Sequence, residues 1–321
     1  MYRANRFSRL NQSGHTPAIV TTVALSIIVI VSACVSRGEK KKVDTTALST
    51  QPAVVTPVET SGEVDTIRRT PLVVTFASAQ ASYTQGKYAE AEESFDAYVK
   101  RHTDNAFGFY MLGLSAWKHG DLDRARAALE QSLTLDSTNV KTMLNLGRVL
   151  LEKGHPDDAL VQVESAVNFD SGSAEVHRMK ARVQSALGRR DSAEVSYRLA
   201  LSIDPNDSWS MNNLGLLLID DGRYEEALKP LARAVELRPE SPAFANNLGV
   251  ALERTGHAGS AAMAYQSALV ADSTYTKAQK SLARVTGKTD ETPIVLAQLA
   301  AQFNDSLQTS SQVRMSVKPE R

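Results

Sequence analysis

Asparagine and arginine side chains recur along the middle of this chain in a pattern that favours binding to another polypeptide. Asn145, Asn213 and Asn247 are separated by multiples of 34 residues. An asparagine amide carries two donors and an acceptor, so it can bind a peptide backbone of any sequence, whereas neighbouring arginines favour a carboxylate or an acidic segment. The candidate binding residues are Phe107, Tyr110, Lys141, Asn145, Arg148, Arg178, Arg182, Trp209, Asn212, Asn213, Asn246 and Asn247.

A simpler interpretation of the same residues stays open. A stripe of polar side chains can be a solvated surface, and Trp209 can cover a contact between neighbouring structural units. In that case the pattern reports only which side of the molecule faces water.

Motifs for catalysis are missing from the sequence. It contains no Walker loop, no dinucleotide-binding glycine fingerprint and no His-Glu-x-x-His, and no histidine has a partner at metal-ligand spacing. The 36 basic and 36 acidic side chains leave no net charge, which argues against a general nucleic-acid binder. We therefore expect no enzyme activity and no cofactor, metal, nucleic acid or small-molecule substrate. The expected partners are proteins.

The elements that position these side chains follow a 34-residue frame, which runs without insertion or deletion from Leu72 to Tyr275. It gives six units, at 72–105, 106–139, 140–173, 174–207, 208–241 and 242–275. The fifteenth residue is always glycine: Gly86, Gly120, Gly154, Gly188, Gly222 and Gly256. The twentieth is always alanine: Ala91, Ala125, Ala159, Ala193, Ala227 and Ala261.

Each recurring residue type has a physical reason. Small residues at the eighth and twentieth positions let two helices of one unit approach closely, because a larger side chain would overpack the contact. Glycine at the fifteenth position ends the first helix in a left-handed conformation. The apolar residues repeat on one helical face and are predicted to form the core: Leu112, Leu146, Leu214 and Leu248 on first helices, with Phe95, Leu129, Tyr197, Leu231 and Tyr265 on second helices.

This spacing and pattern resemble the tetratricopeptide repeat (TPR) family. The resemblance implies an all-α fold, a right-handed α-solenoid of six helix–turn–helix repeats with a concave groove. Residues 276–286 resemble a further first helix that serves as the C-terminal capping helix. At the other end, Thr70 and Pro71 are predicted to supply the N-cap and the first-turn proline of the first repeat.

The resemblance also implies which side chains line the groove. In this family they are the second, fifth, sixth, ninth, twelfth and thirteenth residues of each first helix, which share one stripe. In the second repeat Met111 and Trp117 would join Phe107 and Tyr110 in an aromatic and sulfur-rich patch. The carboxylate clamp of cytosolic chaperone adaptors is not present around Asn145.

The C-terminal tail, 287–321, is predicted to contain an amphipathic helix that starts near Thr292 and Pro293. Its apolar side would carry Leu296, Leu299, Ala300, Phe303 and Leu307. We expect this helix to pack on the last repeats. The alternatives are that it fills the groove of its own or of a neighbouring molecule, or drives self-assembly.

The N-terminal segment is typical of a secretory signal, predicted over residues 1–33. Arg3, Arg6 and Arg9 precede an apolar run over 18–31. Ser32 and Ala33 then lead into Cys34, the only cysteine. Val-Ser-Ala-Cys resembles the lipobox of bacterial lipoproteins, which implies lipidation at Cys34 and a flexible linker over 34–71. The alternative is a plain membrane anchor at 18–36.

Together these features predict a membrane-anchored, extracytoplasmic TPR scaffold that mediates protein–protein interaction or assembly of an envelope complex. We expect the lipid-anchored chain on the periplasmic side of the outer membrane, with an inner-membrane anchor as the alternative. The architecture is similar to pilotin-type TPR lipoproteins, which assist assembly of type IV pilus secretins. A further alternative is a non-catalytic accessory subunit that recruits substrate to a separate envelope enzyme such as a peptidoglycan hydrolase.

Overall fold

The computed structural model describes residues 74–290, 292 and 294–316. The chain divides into residues 1–66 and 67–321, and all described residues belong to the second unit. The predicted signal peptide, Cys34 and the linker therefore lie outside the described residues. Within the part of the chain that is described, no helix is both long enough and apolar enough to cross a bilayer.

The described residues form fourteen α-helices and no strand. In chain order they are α1 Phe76–Thr84, α2 Tyr88–Val99, α3 Ala106–His119, α4 Leu122–Leu135, α5 Val140–Glu152, α6 Pro156–Phe169, α7 Ala174–Ala186, α8 Arg190–Ile203, α9 Ser208–Asp220, α10 Tyr224–Leu237, α11 Pro242–Arg254, α12 Ala258–Ala271, α13 Thr276–Val285 and α14 Leu296–Ser316. The predicted all-α fold is confirmed.

The first helices of repeats two to six start where a polar side chain caps them. In each case the capping oxygen accepts a hydrogen bond from the backbone N–H three residues later, which satisfies one of the unpaired donors at a helix start. These caps occupy the last position of the preceding repeat: Asn105, Asn139, Ser173, Asp207 and Ser241. The glycines at the fifteenth position have φ between 71° and 99°, so the predicted left-handed helix ends are confirmed.

The first repeat begins differently from its predicted start. Helix α1 starts at Phe76 and its N-cap is Thr75, not Thr70. The Thr75 hydroxyl accepts a hydrogen bond from the Ser78 N–H at 3.1 Å, and the Ser78 hydroxyl accepts one from the Thr75 N–H at 3.1 Å. This reciprocal capping box satisfies two backbone N–H groups at the helix start and accounts for the start at Phe76.

Close helix contacts explain the small residues of the repeat frame. A Cβ atom added to Gly113 would lie 2.6 Å from the Leu129 side chain, and one added to Gly249 would lie 2.5 Å from Tyr265. All nine predicted core residues are buried. The core prediction is therefore confirmed, and its members lie between the two helices of a repeat and between consecutive repeats.

The helix pairs stack so that first and second helices occupy different sides. Helices α5, α7, α9, α11 and α13 follow one another in contact along one side. On α13, Ala278 and Val285 are buried whereas Lys277 and Lys280 are exposed, so a polar surface ends the stack. Helix α14 packs against α10 and, to a smaller extent, α8, which are second helices.

Candidate functional site

A hollow with a volume of about 560 Å³ lies on the side formed by the first helices. We call it the cationic hollow. Its lining comes from α3, α5, α7 and α9 and consists of Trp117, Lys118, Arg148, Glu152, Arg178, Arg182, Trp209 and Asn213. Four of these side chains are basic and one is acidic. The structure thus brings together five of the predicted binding residues, Arg148, Arg178, Arg182, Trp209 and Asn213.

Two of the three arginines are held by acidic partners. The Arg148 guanidinium lies 2.5 Å from Glu175 and also donates to the Asn145 amide oxygen at 2.6 Å. The Arg178 guanidinium lies 2.5 Å from Asp207, the residue that caps α9. Since Asp207 is 6% exposed, this pair joins α7 to the capped start of α9 and fixes the position of Arg178.

Arg182 has a different environment. Its guanidinium donates to the Met179 sulfur at 3.9 Å, and within the described residues no carboxylate lies within 4.0 Å of it. The side chain reaches solvent, but it stands in a concave surface where protein displaces much of the surrounding water. This burial lowers the pKa of Arg182, and the positive charges of Arg148 and Arg178 lower it further.

A second, smaller hollow of about 340 Å³ adjoins the first and shares Arg182 and Asn213 with it. We call it the apolar hollow, because Leu151, Ala186, Leu216 and Leu217 form most of the rest of its lining, to which Ser185 and Asp220 also contribute. The buried Tyr197 ring also lines it, and burial raises the pKa of Tyr197 to about 12. At neutral pH this phenol is therefore an uncharged hydrogen-bonding group beside apolar side chains.

Phe107 and Tyr110, the candidate binding residues of the second repeat, lie outside these hollows, whereas Trp117 of the same predicted patch lines the cationic hollow. Phe107 is exposed and stacks on Tyr110, with ring centroids 5.7 Å apart. The Tyr110 hydroxyl accepts a hydrogen bond from the Asn145 amide at 3.0 Å. Because Asn145 also accepts from Arg148, Tyr110 is linked to the cationic hollow by hydrogen bonds, and Phe107 is linked to it only through the stack on Tyr110. Burial raises the pKa of Tyr110, and the bond from Asn145 partly opposes it.

The asparagines differ in their freedom to bind another molecule. Asn145, Asn212 and Asn246 are buried, with exposures of 7%, 4% and 6%. Asn212 donates to Asn213 at 3.3 Å and accepts from Asn247 at 2.9 Å, so its amide is already engaged. The Asn246 side-chain oxygen is buried and has no hydrogen-bond partner within the described ranges. Asn213 and Asn247 each share one of these bonds with Asn212, but they are only half-buried and are the more accessible pair.

Trp209 was predicted either to bind a partner or to cover a contact between neighbouring repeats, and its position is compatible with both. Its ring packs edge-on against the buried Phe244 at 5.0 Å, and the Arg238 guanidinium lies 5.5 Å from it. The ring is nevertheless 49% exposed and lines the cationic hollow. It covers a contact between repeats and presents a face to solvent. Lys141 is exposed but does not line either hollow.

The lining also contains Trp117, which the family pattern placed in the groove, and two residues that the sequence analysis did not name, Lys118 and Glu152. Trp117 donates to Glu152 at 2.8 Å, and Lys118 lies 5.2 Å from the Trp117 ring. All three occupy the twelfth or thirteenth position of a first helix. The family pattern was therefore a usable signal for them.

No group of three or more histidine, cysteine, aspartate or glutamate side chains is arranged to hold a metal ion in the part of the chain that the structure describes. The arrangement offers cations, amides and aromatic rings on a concave face. Such a face can bind an extended or helical segment of another protein through ion pairs, amide hydrogen bonds and apolar contact.

Three tetratricopeptide repeat family models match the chain, at residues 76–140 and 212–276, at 116–183 and at 174–207. Together the matches cover more than half of the 321 residues. Among curated proteins, none matches the sequence.

Solved structures show the same fold. A tetratricopeptide repeat protein from Parabacteroides merdae has a TM-score of 0.57 and 14% identity, over 66% of this chain and 82% of that one. A chain of the APC/C hetero-tetramer Cut9-Hcn1 also has a TM-score of 0.57, with 15% identity, over 75% of this chain and 46% of that one. A thermophilic TPR protein of Thermus thermophilus, TTC0263, has a TM-score of 0.51 and 18% identity, over 56% and 98%. These identities support likeness of fold alone. The chain belongs to the tetratricopeptide repeat family, an α-solenoid fold that serves as a scaffold for protein–protein interaction.

Proposed function

We propose that this chain is a non-catalytic scaffold that captures a protein partner on its first-helix face and is held at the bacterial cell envelope by a lipid on Cys34. The cationic hollow is the observation that carries the binding half of the proposal. Three arginines, two tryptophans and an accessible asparagine line this one concave surface, which encloses about 560 Å³. A mixed surface of this kind suits a polypeptide, since Arg and Trp are the side chains that contribute most at protein interfaces.

The anchoring half of the proposal is supported by the sequence. A basic start, an apolar run and small residues before the only cysteine are the features that lipoprotein processing requires. On this proposal the repeats face the periplasm and the lipid sits in the outer membrane, where the chain assists assembly of an envelope complex.

The binding half is tested by crosslinking pull-down from membranes of cells that make the full-length chain. The variant N213A/N247A removes the two accessible amides, and each lost hydrogen bond is worth about 1 kcal/mol. We expect several-fold weaker partner capture with unchanged helicity. Asn168→Ala, at an exposed position on α6, is the matched control and should capture normally. Equal capture by the double variant and wild type would move the binding site to the second-helix face.

The anchoring half is tested by metabolic labelling with a fatty acid. Cys34→Ala removes the thiol that would receive the lipid, so labelling should disappear and the protein should leave the membrane fraction. Ser36→Ala, two residues away, should be labelled like wild type. Labelling that persists in C34A would refute lipidation at this cysteine, and membrane retention without labelling would favour the plain anchor.

A further inference from the structure

The two hollows differ in chemistry but form one continuous surface, because Arg182 and Asn213 line both. On one side of Arg182 lie Arg148, Arg178 and Lys118. On the other side lie leucine side chains, among them Leu216. A molecule seated over Arg182 therefore meets positive charge in one direction and apolar surface in the other.

Arg182 is the cation best placed to take an external anion. Arg148 and Arg178 already hold Glu175 and Asp207 at 2.5 Å, and these pairs join α5 to α7 and α7 to the start of α9. Among the described residues, the hydrogen bond that Arg182 makes is to the Met179 sulfur, at 3.9 Å. Its removal would break no ion pair with a described residue, so the guanidinium contributes little to holding the repeats together.

The surroundings of Arg182 make the binding of an anion to its guanidinium more favourable in free energy. Arg182 stands in a concavity that displaces water, and this burial, with the charges of Arg148 and Arg178, lowers its pKa. An incoming carboxylate supplies Arg182 with the counter-charge that Glu175 and Asp207 give to the other two arginines, and a charge-assisted hydrogen bond is stronger where water is partly displaced. Two acidic residues line the hollows: Glu152 accepts from Trp117 at 2.8 Å, and Asp220 lies in the lining of the apolar hollow.

We propose that the partner contributes a segment in which an acidic residue stands next to a large apolar one. The carboxylate pairs with Arg182, the apolar side chain enters the apolar hollow against Leu216, and the Asn213 amide binds the segment's backbone. Trp117 and Trp209 border the acidic end. This inference rests on the proposed function, since it names the chemistry of the segment that the scaffold captures.

The test uses the full-length chain and a phage-displayed library of random twelve-residue peptides. We expect selected peptides to be enriched in Asp or Glu directly beside Leu, Ile or Phe. Synthetic copies of the selected peptides should lose about tenfold or more in affinity for Arg182→Gln, and their wild-type affinity should fall as sodium chloride is raised. Arg189→Gln, a matched change at an exposed arginine before α8, should leave affinity unchanged.

Two further measurements separate the halves of the site. Leu216→Gln should weaken the peptides without altering the steepness of their salt dependence, because it changes the apolar hollow and leaves the ion pair. Thermal melting by circular dichroism should give R182Q the same midpoint as wild type, or a slightly higher one. A loss of affinity that accompanies a lowered midpoint would contradict a binding role for Arg182.

The outcomes distinguish this inference from the proposed function. Selected peptides that lack acidic residues, or that bind R182Q as tightly as wild type, overturn the inference. If those same peptides lose affinity for N213A/N247A, the scaffold function stands with a different partner chemistry. If the library yields no peptide that binds, the inference falls, and membrane crosslinking alone then decides the scaffold function.

Discussion

Glycine at the eighth repeat position leaves different amounts of room in different repeats. A Cβ atom added to Gly215 would lie 2.4 Å from the Cγ atom of Leu231, a separation at which the buried Leu231 side chain or one of the helices must shift. A Cβ atom added to Gly147 would lie 3.2 Å from the Cγ2 atom of Val163. The facing side chain therefore decides whether the helix pair can accept a methyl group, and repeats one and four accept one at Ala79 and Ala181.

This contrast gives a matched pair of substitutions. Gly215→Ala should lower the free energy of unfolding by about 1–2 kcal/mol, because overpacking exceeds the roughly 1 kcal/mol that alanine gains over glycine in a helix. Gly147→Ala should be neutral or slightly stabilising, since the same gain meets less crowding. Urea unfolding of both variants measures the difference. Equal effects of the two changes would show that helix spacing, not the facing side chain, sets the tolerance.

At the scale of one element, α12 is capped by a residue from another part of the chain. Its own N-cap, His257, makes no side-chain capping bond, and its first turn contains no acid. Asp290, which follows α13 in the chain, supplies both the cap and the acidic group. Its carboxylate accepts hydrogen bonds from the backbone N–H groups of Gly259 and Ser260 at 2.6 and 2.9 Å. A negative charge at this end also suits the helix dipole.

Asp290→Ala should lower the free energy of unfolding by about 1 kcal/mol, the usual loss on removing a helix cap. It should also speed amide exchange at the start of α12. Asp305→Ala, at an exposed position of α14, removes the same charge without a cap and is the control. The role of Asp290 would be refuted if both variants melted like wild type.

The contribution of Asp290 should depend on pH in a defined direction. Burial alone would raise the pKa of Asp290, but the hydrogen bonds from Ser260 and Gly259 together hold it below its ordinary value. A carboxylate with a lowered pKa stabilises the fold above the unfolded-state value of about 3.9 and loses that effect as pH falls further. The melting difference between wild type and D290A should therefore be constant from about pH 5 to 7 and shrink below about pH 4.

At the scale of the whole described unit, α14 docks on second helices, away from the hollows. It buries Ala300, Phe303 and Leu307, with exposures of 1%, 6% and 8%. Its contact is with α10 and α8, so it leaves the first-helix face open. The tail was expected to pack on the last repeats; it packs on the fifth and, to a smaller extent, the fourth. Within the described residues the groove of the same molecule is not occupied by the tail.

Phe303→Ala should release α14 while α1 to α13 stay folded. The variant leaves a cavity in the interface that holds α14 on α10 and α8, and the packing of the other helices does not depend on that interface. Hydrogen exchange should rise sharply over residues 296–309, and affinity for the selected peptides should not change. Gln298→Ala, at an exposed position on the same helix, should exchange like wild type. A change of solution mass in F303A would instead support self-assembly through this helix.

The repeated small residues were sufficient to predict the fold. Glycine at the fifteenth position and glycine or alanine at the eighth and twentieth act through contacts inside one helix pair, so a local pattern contains the information. The caps at Asn105 and Asn139 are equally local. The long-range cap from Asp290 left no such signal, because it joins residues 30 and 31 positions apart across different helices.

The sequence by itself determined the helix pairs, the core and the set of side chains on the first-helix face. Only the tertiary structure decided which of those side chains meet. Arg178 and Asp207, 29 residues apart, pair between α7 and the start of α9, whereas Arg182 on the same helix keeps no carboxylate partner among the described residues. Asn212 is buried and Asn213 is half-buried although the two are adjacent. The curvature and packing of successive repeats set these distances. The position of a residue within its own repeat does not predict how far it lies from residues on other helices.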